Sequence, residues 1–529
     1  MADNLTQLNE EKEQLITDIL SYDRHGRHVY LLGSAEFGPT GEPVLIRSTV
    51  GLYNTFGRQG TLINAFKCFK YTNPDIPVYL VKVTGEHATA SLNVNVLHGE
   101  IVENSFMVSA SESNEIYNDV FMIVDEESMT FYYPDEMNMS PIRYNYSDYP
   151  NIGLLSDAIN TDTRNKRNKI YTYYSCDPDI KCNTAFHVVN PTKIYLYGGE
   201  CGLNYSKDLL YNCLERTYSM LESEQIDIIV PVDAFLDDVY PYDSEENLYR
   251  YNMKYYHSSK DYLTGDTQGN MYSFMDQLIT FCAKQLNFGV VTHGVLGFNT
   301  LDRYSSYYLG EADDLIETYT ACMEYNKALV QHNDCMFMVS VVAGDIMYNH
   351  GEIIDNGYLA YAAFCATVRL TVGTANIPLS DRISIYQEFT EDKLKELASN
   401  GITSFRHSPL YDKPIAYAGV TASDDVNLRL YVNVRMCQMC ISYIDKLMKF
   451  YIGMNMHTLI NEGIMYNDMT TILNTIRDIG IITSYNLKLV PYYLYGEIKS
   501  YITMRTNMMI ESVTLCSRIK GEFNEELVE

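Results

Sequence analysis

A stripe of apolar residues at helical spacing opens the chain. Within the acidic segment 3–22, leucine and isoleucine recur on one predicted helix face: Leu5, Leu8, Leu15, Ile16, Ile19 and Leu20. Asn4 and Gln7 form a capping pattern at its start. Because such a stripe needs an apolar surface to cover it, we expect this helix to pack on the chain's own core or on a neighbouring chain.

Apolar runs then predict a buried strand from Val29 and another over 78–83, with a helix over 62–71 between them. The spacing from Gly33 matches a phosphate-binding loop, but Pro39 and Thr40 follow where a lysine and a Ser or Thr are needed. The loop therefore lacks the lysine charge, and proline removes a backbone donor. We interpret it as a structural turn.

Short alternating runs with polar breaks over residues 84–190 indicate an antiparallel β domain. From about residue 193, apolar strands alternate with helices, which predicts a mostly parallel sheet covered on both faces. Its predicted strands are 194–197, 226–230, 288–292 and 336–342.

The C-terminal third predicts an α/β unit of its own. A helix capped by Thr390 stops at Asn400-Gly401, and the strands 402–405 and 415–420 follow. The remaining predicted elements are a long helix over 434–451, a second over 458–479, a strand over 512–519 and an acidic tail. The fold class is thus multidomain α/β: a mostly parallel core, an inserted antiparallel β domain and a C-terminal α/β domain carrying terminal arms.

Length and charge narrow the function. A chain of 529 residues is too long for one core, so two to four domains are expected. A net charge of −29 argues against a nucleic-acid or anionic-membrane binder. We see no signal-peptide pattern and no apolar run that would span a bilayer. The 47 tyrosines and absent tryptophan suit subunit interfaces, although an AT-rich genome explains them as well, and we favour that explanation.

No motif predicts catalysis or a cofactor. Cys437 and Cys440 have the spacing of zinc and redox sites, but no second pair accompanies them, so we favour helix packing. Cys176 and Cys182 flank a proline loop, yet twelve scattered cysteines indicate reduced thiols. The histidines are dispersed, and no metalloprotease or nucleophile-elbow spacing occurs.

The chain resembles contractile tail sheath proteins, the sleeves of myovirus-type phages and related injection machines. Its opening core carries Gly-x-Ala-x-x-Gly-Pro at 33–39, an apolar-Arg-Ser segment ending at Ser48, and Phe56-Gly57. Later landmarks follow in the family's order: 155–160, 198–202, 228–231, 341–344, the Ala-rich helix 358–372, 374–379 and 397–402. Two features depart from the family: segment 3–22 replaces a Pro-Gly-Val-Tyr extension, and Ile377 stands where lysine is common.

The resemblance implies a non-enzymatic subunit that polymerises as stacked hexameric rings around a tail tube and contracts to drive it through the host envelope. It implies tube, baseplate and tail terminator proteins as partners, no cofactor, no nucleic acid and no membrane insertion. The subunit would assemble in the host cytoplasm and belong to the virion.

The same resemblance divides the chain into six segments. They are an N-terminal arm (1–28), the first part of the sheath core (29–84), an inserted β domain (85–190), an α/β domain (191–375), a C-terminal α/β sheath domain (376–507) and a strand arm with an acidic tail (508–529). Two alternatives stay open: the sheath of a non-viral injection system, and, from a different class, an α/β nucleotide-binding enzyme.

Two sets of residues are candidates for assembly contacts. Lys446 and Lys449 flank the apolar stripe of the long C-terminal helix and would face an acidic tube; the alternative is a pair of solvated lysines. Val513, Leu515 and Ile519 share one face of the terminal strand, which can complete a sheet in an adjacent subunit. The alternative there is a strand docked in its own domain.

Overall fold

The structure is a computed structural model. It describes residues 13–17, 19, 27–96, 100–162, 170–186, 192–203, 205, 207–232, 234–236, 273–298, 312–367, 377–408, 413–426, 428–492 and 497–506.

Regular elements fill most of the described chain. The first half contains β1 (Val29–Gly33), β2 (Pro43–Ile46), α1 (Thr49–Phe56), α2 (Thr61–Thr72), β3 (Val78–Lys82), β4 (Thr89–Val96), β5 (Glu100–Ala110), β6 (Phe121–Val124), β7 (Ser128–Tyr132), β8 (Ile142–Asn145), α3 (Ile152–Thr161), β9 (Ile170–Tyr174), α4 (Cys182–Ala185), β10 (Thr192–Tyr195), α5 (Lys207–Leu221) and β11 (Ile228–Pro231).

The second half is richer in helix. It contains α6 (Phe274–Asn287), β12 (His293–Gly297), α7 (Ala312–Leu329), β13 (Val339–Val342), β14 (Asp345–Tyr348), β15 (Ile353–Asn356), α8 (Tyr358–Thr367), β16 (Ile383–Ile385), α9 (Glu391–Ser399), β17 (Ile402–His407), β18 (Pro414–Tyr417), α10 (Tyr431–Phe450), α11 (Met456–Asn461), α12 (Ile464–Asp478), β19 (Ile482–Tyr492) and β20 (Glu497–Thr506).

An eight-stranded sheet, which we call the central sheet, organises the core in the order β18-β17-β13-β12-β11-β1-β3-β2. The strands from β17 to β3 pair in parallel, and β18 and β2 close the two edges antiparallel. All five residues of β1 are buried, because Val29 and Leu31 face one apolar cluster and Tyr30 and Leu32 face another. Cover on both faces explains why this strand is an uninterrupted apolar run.

The inserted region between β3 and β11 forms two antiparallel sheets, β10-β6-β7-β8 and β4-β5-β9, around one apolar cluster. The prediction that residues 194–197 form a strand of the parallel core is wrong. The observed β10 pairs antiparallel with β6 in this inserted region. In β10, Tyr195 is exposed and Ile194 is half-buried, as expected for a strand covered on one face.

The prediction of a strand over 288–292 is also wrong. Helix α6 ends at Asn287, and a turn with Gly289 at φ 76° uses the residues that follow. The strand begins only at His293. Its glycine-containing sequence gives little strand signal, whereas the apolar residues before it mimic one.

The C-terminal third is not a separate sheet, because β17 and β18 extend the central sheet through β13. Strands from the predicted segments 29–84, 191–375 and 376–507 therefore share one sheet, and the domain boundaries stay a prediction. The single helix predicted over 458–479 is two helices, α11 and α12, because Gly463 between them has φ 66°. The antiparallel hairpin β19–β20 was not predicted.

The described part of the N-terminal helix, residues 13–17 and 19, packs on the chain's own C-terminal region. Leu15 and Ile19 are buried in the cluster formed by α10, α12 and the inner face of the hairpin. The partner surface that the apolar stripe requires is thus supplied, for these two residues, by the same chain.

Candidate assembly surfaces

Lys446 and Lys449 lie exposed on α10, one helical turn apart. Nζ of Lys449 lies 2.6 Å from a carboxylate oxygen of Asp445 and donates to the carbonyl oxygen of Phe288 at 3.3 Å. Nζ of Lys446 lies 5.3 Å from the ring centroid of Tyr443. The charge of Lys449 is therefore partly neutralised within the chain, and Lys446 is the more available cation. Their contact with a tube stays a prediction.

The Cys-x-x-Cys motif lies on the same helix and faces its packed side. Cys440 is buried in the C-terminal cluster, and burial raises the pKa of its thiol to about 12. Burial also raises the pKa of Cys437. Among the described residues, no group of three or more His, Cys, Asp or Glu side chains could hold a metal ion. The surroundings favour packing as the role of this motif, and Cys176 and Cys182 carry free thiols.

Backbone donors in and beside the glycine loop after β1 form hydrogen bonds within the chain. At the start of α2, the Thr61 amide donates to Oγ of Ser34 at 3.2 Å, and the Leu62 amide donates to the Ser34 carbonyl at 3.0 Å. The Ser34 amide in turn donates to Oγ1 of Thr61 at 2.9 Å. A Cβ on Gly60 would lie 2.4 Å from the Ser34 carbonyl oxygen. The loop closes on its own helix, as expected for a structural turn.

A buried lysine, which the sequence analysis missed, joins the central sheet to the inserted region. Lys82 ends β3 with no exposed surface, and its Nζ donates to the Ser113 carbonyl oxygen at 3.0 Å. Burial lowers the pKa of Lys82 to about 8, against the opposing effects of Cys201 and Glu112. A lysine inside an otherwise apolar strand was the signal available in the sequence.

Two chain segments beside Lys82 form the connection between the two regions, which we call the neck (residues 83–86 and 200–202). Glu86 and Glu200 exchange backbone hydrogen bonds of 3.0 and 2.9 Å, and Oγ1 of Thr84 donates to the Gly202 carbonyl oxygen at 2.7 Å. Gly202 has φ 67°, and a Cβ there would lie 2.3 Å from the Gly85 nitrogen. The predicted chain reversal at 198–202 is thus part of a tight two-segment connection.

The hairpin β19–β20 presents a second surface that the sequence analysis missed. Its inner face packs on the C-terminal cluster through Leu487, Leu489 and Ile502. The opposite side, which we call the outer hairpin face, consists of the cross-strand pairs Ser484–Arg505, Asn486–Thr503, Lys488–Tyr501, Val490–Lys499 and Tyr492–Glu497. Alternation over 498–505 was the available signal.

Cations outnumber anions on the outer hairpin face. Tyr492 and Tyr501 are 37% and 53% exposed, and Nζ of Lys499 lies 5.1 Å from the ring centroid of Tyr492. The one carboxylate, on Glu497, lies 3.7 Å from Nζ of Lys499. Across the part of the chain that the structure describes, no carboxylate lies within 4.0 Å of the charged nitrogens of Lys488 or Arg505. Among the described residues, the positive charges of Lys488 and Arg505 on this face therefore have no carboxylate partner.

The terminal strand with Val513, Leu515 and Ile519 lies outside the described residues. None of the described helices combines the length and the apolar character needed to cross a membrane.

No protein-family model matches the chain, and no curated protein matches it in sequence. Among solved structures, it is similar to the sheath tail protein of Listeria innocua, with 13% identity, coverage of 94% of this chain and 100% of the other, and a TM-score of 0.49. It is also similar to the sheath tail protein of Desulfitobacterium hafniense, with 10% identity, coverage of 91% and 97%, and a TM-score of 0.44.

A third similar structure is the helical sheath of the anti-feeding prophage in its contracted state. The identity is 10%, the coverage is 94% of this chain and 93% of the other, and the TM-score is 0.47. All three of these structures are sheath proteins, the class that the sequence resembles.

Proposed function

We propose that this protein is the structural, non-enzymatic subunit of a contractile sheath. The observation that carries the proposal is the order of the sheath-like landmarks along the chain and their positions in the described fold. The apolar strand with a final proline is β11, the Ala-Gly landmark follows β13 at Gly344, and Asn400-Gly401 precedes β17. Gly198–Gly202 leads into the neck. These four landmarks lie in the central sheet, at its turns or at its connection to the inserted region.

In the finer form of the proposal, the subunits polymerise as stacked hexameric rings around a tail tube and contract to drive it through a host envelope. Heterologous contacts that do not close on themselves generate helical polymers of this kind. Assembly would take place in the host cytoplasm and place the protein in a virion. Tube, baseplate and tail terminator proteins would be its partners.

Negative-stain imaging of the purified chain tests this function. We expect tubular polymers or rings at high concentration and physiological salt. A strictly monomeric species under those conditions that turns over a small substrate would favour the α/β enzyme alternative. Tubes in a membrane-free cell lysate that carry no phage capsid would favour a non-viral injection system.

The terminal strand is proposed to tie neighbouring subunits together. Residues 512–519 would add to a sheet edge of an adjacent subunit, with Val513, Leu515 and Ile519 covered there. Each backbone hydrogen bond contributes only about 1 kcal/mol net, but several in series would survive a large rigid-body rotation. Deletion of 508–529 should leave a folded, soluble monomer that does not polymerise. Ordered sleeves from this truncation, or outright unfolding, would contradict the tether.

Lys446 and Lys449 are proposed to face an acidic tube. Lys446→Glu is the cleaner test, because Lys449 already contacts Asp445 within its own helix. We expect Lys446→Glu, and more strongly the double reversal with Lys449→Glu, to impair assembly on tubes without changing the thermal midpoint. Lys395→Glu, an exposed lysine on α9, is the matched control. Normal sheathed tubes from the double variant would contradict the proposed contact of these lysines with the tube.

A further inference from the structure

We propose that the acidic end of this chain, residues 522–529, docks in cis on the outer hairpin face while the subunit is unassembled. The inference starts from charge. The whole chain has a net charge of −29, yet this face combines Lys488, Lys499 and Arg505 with a single carboxylate. A positive surface on an acidic protein attracts the acidic segments of that same protein first, because they are present at high effective concentration.

The composition of the tail matches the face. Residues 522–529 contain Glu522, Glu525, Glu526 and Glu529 and no cation. Phe523, Leu527 and Val528 lie between these carboxylates and supply apolar area for the exposed rings of Tyr492 and Tyr501. Residues 522–529 are therefore complementary to the outer hairpin face both in charge and in apolar surface.

The length of chain after the hairpin permits the contact. β20 ends at Thr506, so residues 507–521 connect it to the tail. Fifteen residues reach about 50 Å when extended. A strand of ten residues such as β20 is about 33 Å long. The tail can thus return over the full length of the outer hairpin face.

The acidic N-terminal segment is the competing occupant within the same chain. Its described residues, including Leu15 and Ile19, lie in the cluster beneath the inner face of the hairpin. They approach the hairpin from the side opposite the outer face, whereas the C-terminal tail is connected directly to β20. These placements favour the C-terminal tail.

Exposed ion pairs are weak and screened by salt, so the docked tail is a releasable cover rather than a fixed part of the fold. The tail also follows directly on residues 512–519. If that strand moves to a neighbouring subunit, as the proposed function requires, the tail is withdrawn and the basic face is exposed. The docking itself does not depend on the proposed function; only this release step does.

Zero-length carbodiimide cross-linking of the full-length, unassembled protein tests the docking. We expect peptide pairs that join Lys488 or Lys499 to the glutamates of 522–529. Their yield should fall about tenfold between low salt and 1 M salt, where the Debye length is about 3 Å. A mixture of isotope-labelled and unlabelled protein should give cross-links only within one isotope. Mixed-isotope pairs, links to Glu10, Glu11 or Glu13 instead, or no salt-dependent link would each overturn the proposal.

A charge-swap series supplies a second readout that needs no cross-link. Release of the last residues by carboxypeptidase should accelerate about tenfold in K488E/K499E/R505E, as expected when a weak electrostatic cover is lost. Combination with E522K/E525K/E526K should restore slow release. The control R143E/K181E/K395E makes the same change in net charge at exposed positions elsewhere and should behave as wild type. Equal acceleration in the control, or no rescue by the swap, would contradict docking on this face. All arms use the unassembled subunit, so the outcome stands whether or not sleeves form.

Discussion

Lys82 and Lys488 both lie in β-strands, but the central sheet buries the charge of Lys82 whereas the hairpin β19–β20 exposes that of Lys488. The central sheet buries Lys82 completely and gives its ammonium a carbonyl acceptor in the inserted region. The hairpin leaves Lys488 exposed on the outer hairpin face. The ammonium of Lys82 thus has its acceptor within one subunit, whereas Lys488 on the outer side of the hairpin has no carboxylate partner among the described residues. A surface of the second kind is available for contacts that form and release.

The central sheet and the hairpin should differ most in how much an apolar truncation lowers the free energy of unfolding. Leu31→Ala in β1 leaves a cavity in a site with no exposed surface and should lower the free energy of unfolding by about 2–5 kcal/mol. Ile502→Ala on the half-buried inner face of the hairpin should lower it by clearly less. Denaturant unfolding of both variants checks this. Equal losses would mean that the hairpin is as tightly packed as the central sheet.

A substitution in the neck should also lower stability strongly, as in the central sheet. Gly202→Ala combines a left-handed φ of 67° with a Cβ placed 2.3 Å from the Gly85 nitrogen. We expect it to cost about 2–4 kcal/mol, through strain and steric overlap together. Gly198→Ala is the matched control, since its φ is 81° but no atom lies within 4 Å of the added Cβ. It should cost only about 1 kcal/mol. Thermal unfolding that shows similar losses would argue against a rigid neck.

The buried charge of Lys82 predicts a pH dependence that exposed lysines lack. The folded protein holds the pKa of Lys82 near 8, below the ordinary 10.5, so the unfolded chain binds more protons between these pH values. Stability relative to Lys82→Met should therefore rise with pH across that window, by at most about 3 kcal/mol. Below pH 8 the penalty for burying the charged form is fully present.

Denaturant unfolding of wild type and Lys82→Met at pH 7.5 and pH 10 measures this difference. Other groups titrate in the same range, but they do so in both proteins and cancel. Lys488→Met is the exposed counterpart and should give a curve parallel to wild type. If the free energy of unfolding of Lys82→Met also changed with pH in parallel to that of wild type, the Lys82 ammonium would be solvated in the folded protein.

Removal of the exposed charges should have the smallest effect on folding. Lys446→Ala and Lys449→Ala should each change the free energy of unfolding by less than about 0.5 kcal/mol, because exposed ion pairs and cation–π contacts contribute little. The contact of Lys449 with Asp445 makes its effect the larger of the two. Losses above about 1 kcal/mol would show that these lysines serve the fold rather than a partner surface.

Much of the fold was predictable from local pattern. β1, β3 and α2 follow from apolar runs and helical spacing, and the alternating runs after residue 84 correctly indicated antiparallel strands. The prediction failed where apolar residues lie in a turn or where polar residues interrupt a strand. Residues 288–292 form the turn after α6, in which Val291 is buried and Phe288 is exposed. The hairpin was missed because Ser484, Asn486 and Lys488 interrupt its apolar pattern.

The sequence by itself predicted the class of the molecule, through a strand–turn–helix–strand opening, a failed phosphate loop, an acidic composition without a recognisable cofactor motif and an ordered set of sheath-like landmarks. Only the tertiary structure decided which strands share a sheet. It placed β10 in the inserted region, joined β17 and β18 to the central sheet, and buried Lys82 against Ser113. The physical reason is range. Periodicity reports which face of an element is covered, whereas pairing between distant strands, burial of one charge and exposure of another depend on what the rest of the chain brings to that face.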